Sequence, residues 1–113
     1  MATRYTYNPD NNTWDSTGVE IPPPELAEMF VDFLFNFNKE EGQEIEISGN
    51  GESTGYYWQM FKEENHLSTR GKELGEVMNF LFNNGQIKLK KFGFYGNTIL
   101  IIYRQPQTPG NPA

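Results

Sequence analysis

The run Ile99-Leu100-Ile101-Ile102-Tyr103 limits the possible folds of this chain more than any other segment. In a strand, successive side chains point to opposite faces, so positions 99, 101 and 103 look one way and 100 and 102 the other. A strand that is apolar on both faces needs cover on both. The chain has 113 residues, room for a single core, since domains usually hold about 100 to 150 residues. A helical layer on one side alone is expected to leave Leu100 and Ile102 bare. The missing cover then comes from an N-terminal hairpin, a second copy of the chain or another protein. Nine Phe, six Tyr and two Trp supply enough apolar bulk for a core without staples. The absence of cysteine excludes disulfides, thiolate metal sites and cysteine nucleophiles together.

Tyr7-Asn8-Pro9-Asp10-Asn11-Asn12-Thr13-Trp14 reads as a closed β-turn. Proline presets φ at the first central position, Asn8 and Asp10 bond local amides, and Asn12 tolerates the left-handed conformation. The segment resembles the chignolin family of designed mini-hairpins, with Asn12 where those peptides have glycine. The resemblance covers only these eight residues and implies a hairpin, not a function. It places Tyr7 and Trp14 across from each other. Asp10, Asn12 and Asp15 lack the glycine and the distal glutamate of a calcium loop.

Pro22-Pro23-Pro24 opens a helix with Glu25 and Glu28 at its positive end. Leu26, Met29, Phe30, Phe33, Leu34 and Phe37 form one apolar stripe, and Gly42 is the expected stop. Val31 and Phe35 fall off the stripe, so this helix is buried on more than one side or meets a partner. Glu44-Ile45-Glu46-Ile47 alternates as a strand, Gly49-Asn50-Gly51 turns it, and Tyr56-Tyr57-Trp58-Gln59-Met60-Phe61 reads as the returning strand. On that reading glycines 49, 51 and 55 are not a phosphate loop, because no helix N-terminus stands behind them. Ser68 or Thr69 caps a second helix carrying Leu74, Val77, Met78, Leu81 and Phe82, which ends at Asn84-Gly85. Gln86 to Phe94 and Thr98 to Arg104 make a hairpin around Tyr95-Gly96-Asn97.

Glu25-Leu26-Ala27-Glu28 matches Glu73-Leu74-Gly75-Glu76 at an offset of 48 residues. Each helix is followed by two expected strands, which suggests an internal repeat of helix, strand, strand. The expected architecture is therefore α+β: a two-layer sandwich in which a four-stranded antiparallel sheet carries two helices on one face, plus a small N-terminal hairpin. Residues 1–104 form one domain, with the hairpin at 4–15, unit one at 23–61 and unit two at 68–104. Residues 105–113 form a flexible proline-rich tail.

The net charge of −6 is unevenly spread: residues 1–66 carry −10 and residues 67–113 carry +4. The acidic excess disfavours nucleic acid and anionic membranes as partners of the whole surface. Either the halves neutralise each other within the fold, the plainer reading, or they present two surfaces of opposite sign. Glu44 and Glu46 opposite Lys88 and Lys90 suit the first. No apolar run approaches the roughly 20 residues of a membrane span, and no signal peptide is evident, so the expectation is a cytoplasmic protein without membrane insertion.

Catalytic groups are sparse. His66 is the lone histidine, in a charged segment with Glu63 and Glu64, where a solvated side chain is the simpler reading; a pocket joining it to Glu63 or Glu44 would favour an enzyme. No metal and no cofactor is expected. Lys88-Leu89-Lys90-Lys91-Phe92-Gly93-Phe94-Tyr95 alternates cations and rings, as surfaces for single-stranded nucleic acid do, with Lys88, Lys90 and Lys91 on phosphates and Phe92, Phe94 and Tyr95 under bases. It has no RNP-type signature and keeps the place of an alternative. The favoured expectation is a non-enzymatic protein-binding module, a small acidic adaptor, regulator or inhibitor. Its partner surface is expected at Tyr7, Trp14, Tyr57 and Trp58, with Leu100 and Ile102, and the partner is a second copy or a member of a larger complex.

Overall fold

The structure is a computed structural model and describes residues 2–5, 7–14, 18–48, 51–68, 71–91 and 98–107. In chain order the elements are β1 (Ala2–Arg4), β2 (Tyr7–Asn8), β3 (Thr13–Trp14), β4 (Val19–Ile21), α1 (Pro23–Phe37), β5 (Glu44–Ser48), α2 (Gly51–Asn65), β6 (Leu67–Ser68), α3 (Glu73–Asn83), β7 (Ile87–Lys91) and β8 (Thr98–Tyr103). The class is α+β, as expected, but the layout is not. Among the described residues there are three helices, two three-stranded antiparallel sheets ordered β4-β1-β6 and β5-β8-β7, and the β2-β3 hairpin.

The main departure is residues 56–61, expected as a strand and found inside α2. Rich in Tyr and Trp, they look β-prone, but burial follows a helical period: Thr54, Trp58 and Phe61 are buried, at the i, i+4, i+7 spacing of one helix face. Gln59-Met60-Phe61-Lys62-Glu63-Glu64 adds good helix formers. Without that strand the expected four-stranded sheet has three, and the repeat of helix, strand, strand fails in its first unit. The two matched helices also face differently. In α1 the buried positions are Leu26, Ala27, Phe30, Val31, Leu34 and Phe35, a double stripe, whereas in α3 they are Glu73, Val77 and Leu81.

Helix α1 starts as expected, with Pro22 at its N-cap, but ends before Gly42. The Asn38 side chain donates to Leu34 O at 2.8 Å, and Lys39 takes a left-handed φ of 53°; together they close the helix early. Its two buried stripes meet α2 on one side and α3 on the other. Between α1 and α2 the rings of Phe30, Phe33, Trp58 and Phe61 pack at centroid distances of 5.1–5.6 Å; such pairs contribute about 0.5–1.5 kcal/mol each beyond area burial.

Strand β8 is central, as its apolar faces require, with Ile102 opposite both Ile45 and Ile87. Ile102 needs no partner, while Leu100 stays partly accessible. They belong to the face turned toward the helices, where Ile102 is 0% exposed within the core and Leu100 is half-buried. The outer face carries Ile99, Ile101 and Tyr103, and Ile101 is only 8% exposed. Glu46 and Lys88 flank Ile101 in register, and Lys90 reaches Glu46 across β8 at 3.9 Å. Glu46, Lys88 and Lys90 are themselves exposed; lysine side chains of this kind lay their apolar stems along a surface and keep their heads in water.

Candidate functional site

The hairpin forms in the expected register, Tyr7 opposite Trp14 and Asn8 opposite Thr13. Asn8 Oδ1 accepts from the Asp10 amide at 3.0 Å, Thr13 Oγ1 donates to Asn11 Oδ1, and Asn12 stands at φ 55°, the conformation that the turn demands of this position. The hairpin docks beside the end of α2. There His66 leaves the helix at φ 54°, a left-handed value for which His is enriched over most residues. The Asn65 side chain donates to Phe61 O at 3.1 Å, and the chain then turns into β6, which pairs Leu67 with Arg4 and Ser68 with Thr3. The Tyr5 amide donates to His66 O at 3.1 Å.

These contacts converge on an open cleft of about 620 Å³ lined by Tyr5, Trp14, Gln59, Lys62, Glu63, His66, Leu67 and Ser68. Trp14 is 53% exposed, yet its ring meets that of His66 edge to face, centroids 5.1 Å apart at 65°. Gly18 lets the layer close: a Cβ there would run into the Thr3 side chain and come within 3.1 Å of both Arg4 O and the Tyr5 ring. Tyr5, His66 and Leu67 were not singled out as partner residues from the sequence; only the pairing of strands far apart in the chain brings them to Trp14.

The cleft does join His66 to Glu63, the combination that would favour an enzyme. It is an open surface, however, and Glu63 Oε1 accepts from Gln59 Nε2 at 3.4 Å. Among the described residues no group of three or more His, Asp or Glu is placed to hold a metal ion, and no helix is long and apolar enough to cross a membrane.

The other expected partner residues scatter. Trp58 is 6% exposed and packs on Phe30 and Phe61, so it belongs to the core. Tyr57 is half-buried; its hydroxyl donates to Asn38 Oδ1 at 3.3 Å and its ring meets Phe37 at 5.5 Å, near exposed Tyr56. Lys88 and Lys90 are exposed on the outer sheet face, Lys90 beside Glu46. Lys91 closes β7, and Phe92, Phe94 and Tyr95 lie outside the described residues, as do Asp15 and Thr69. Ser68 belongs to β6 and does not cap α3, whose N-cap is Lys72. A helix does begin at Gly51, so the expected absence of a helix N-terminus behind glycines 49, 51 and 55 does not hold; residues 49 and 50 lie outside the described residues.

The fold and this cleft define a small acidic α+β protein with an exposed aromatic cleft built from three parts of the chain. No protein-family model, no curated protein and no solved structure matches it.

Proposed function

We propose that the protein is a non-enzymatic protein-binding module, cytoplasmic, acting as an adaptor, regulator or inhibitor through the Trp14 cleft. One observation carries this reading: a tryptophan more than half exposed is held in a fixed ring contact within a cleft edged by polar groups. Binding energy at protein interfaces concentrates in such aromatic anchors ringed by groups that exclude water, and a ring ordered before contact loses less entropy on binding. Full-length protein and a Trp14→Ala variant, both confirmed folded by circular dichroism, are used as baits in extract of the source cells. The expected result is a stoichiometric protein partner retained by the wild type and lost by the variant. Identical partner profiles contradict the reading.

The nucleic-acid alternative draws on Lys88 and Lys90, but Glu44 and Glu46 share their face of the sheet, which weakens the attraction of that face for a polyanion. Filter binding of single-stranded oligonucleotides at low salt separates the two readings, and no retention is expected.

A further inference from the structure

The composition of the cleft says more about the partner than that it is a protein. Tyr5, Trp14 and His66 present three rings, and Glu63 presents a carboxylate in the same cleft. The half of the chain that contains all four, residues 1–66, carries −10. A ring face attracts a cation through its quadrupole, and tryptophan does so best. Lys62 also lines the cleft and repels any cation, so a cation held there must gain from stacking and from bidentate pairing as well as from charge. An ammonium is a compact, strongly hydrated point charge that gains little beside another ammonium. A guanidinium is weakly hydrated, stacks flat on an aromatic face and forks onto a carboxylate through two parallel N–H bonds. The molecule uses this pairing internally, where the Arg104 guanidinium lies 4.1 Å from the centroid of Phe35.

Resting on the reading above, we infer that the Trp14 cleft recognises an arginine side chain of its protein partner, stacked on Trp14 and paired with Glu63. About 620 Å³ holds more than one guanidinium, leaving space for the extended backbone on either side of that arginine. The net charge of −6 on the chain favours encounter with a basic segment.

The test is a titration of the full chain, labelled with nitrogen-15, with the pentapeptide Gly-Ser-Arg-Ser-Gly at low ionic strength. The signal followed is the indole N–H of Trp14, assigned by its loss in Trp14→Phe. Parallel arms use lysine or neutral citrulline in place of the arginine, and one arm uses the Glu63→Gln protein, whose amide spectrum away from the cleft checks its fold. The expected result is a saturable shift of the Trp14 indole with an unmoved Trp58 indole. Affinity is expected to be at least fivefold weaker for the lysine peptide and for Glu63→Gln, and the citrulline peptide is expected to produce no shift. An unmoved Trp14 indole, or an equal response to arginine, lysine and citrulline, overturns the inference. If partner capture still depends on Trp14 while the arginine peptide has no effect, the arginine inference falls and the binding-module reading stands. If capture is independent of Trp14, the binding-module reading falls, and peptide binding as expected then shows that the cleft takes an arginine side chain but not that a partner supplies it.

Discussion

Individual residues in this protein hold chain segments together through their backbone demands. Gly85 stands at φ 73° and accepts at its carbonyl from the Gln107 amide at 3.0 Å, and a Cβ there would collide with Gln107 O. Gly85→Ala is therefore expected to lower the unfolding free energy by at least about 1–2 kcal/mol, the cost of a left-handed residue with a side chain, as read by urea denaturation; an unchanged midpoint contradicts the close approach. Arg104 donates through Nη2 to Glu40 O at 2.7 Å and through Nε to Gly42 O at 3.0 Å while covering Phe35. Truncation to alanine removes two charge-assisted bonds and a ring contact, and a loss of about 1–3 kcal/mol is expected by the same assay. His66 has a double role, since its backbone ends α2 in a left-handed turn and its ring supports Trp14. Asparagine tolerates that turn, so His66→Asn is expected to keep the fold within about 1 kcal/mol while weakening partner capture. Unchanged capture would show that the ring contributes nothing to binding.

At the level of elements, α2 decides between the architecture read from the sequence and the one observed. Gln59 is exposed in its middle. Gln59→Pro is expected to cost about 3 kcal/mol or more, because proline removes a helical hydrogen bond and clashes with the preceding turn; Gln59→Ala is expected to be close to neutral. Far-ultraviolet circular dichroism of the proline variant should show lost helix signal, and intact helix content would contradict α2. The sequence made α1, α3, β5 and the β7-β8 pair legible because each carries a strong period in its apolar residues. The Tyr7–Trp14 hairpin was legible from local turn chemistry alone. Helix α2 was hidden because adjacent aromatic residues at 56–58 resemble a strand, and its true period shows only when Thr54, an ordinary polar residue, is counted as buried. The sheet β4-β1-β6 was hidden for another reason: its strands hold two or three residues each, too few for any alternation to register. Trp14 was readable as an anchor; its neighbours Tyr5, His66 and Leu67 were not, since they reach it only through pairing between β1 and β6.

Considered whole, the molecule buries its core and leaves the Trp14 ring exposed, with Phe37, Tyr56 and Phe82 exposed elsewhere. Ile102 lies where three strands and the helical layer meet, so Ile102→Ala is expected to cost about 2–5 kcal/mol in transfer and cavity terms, measured by thermal and chemical denaturation. A cost under 1 kcal/mol would contradict the central place of β8. The charge split of the sequence is partly resolved inside the fold, where Lys90 from the basic half faces Glu46 from the acidic half. With both groups about half exposed, that pair adds little stability. Attachment to a protein through the Trp14 cleft is the central claim, and site-directed photo-crosslinking tests it most directly. A benzophenone amino acid is placed at position 62 in the lining of the cleft, or at position 82 on the exposed side of α3, and the protein is irradiated in extract of the source cells. The account predicts a discrete crosslinked product from position 62 that position 82 does not give. No product from 62, or the same products from both positions, would contradict it.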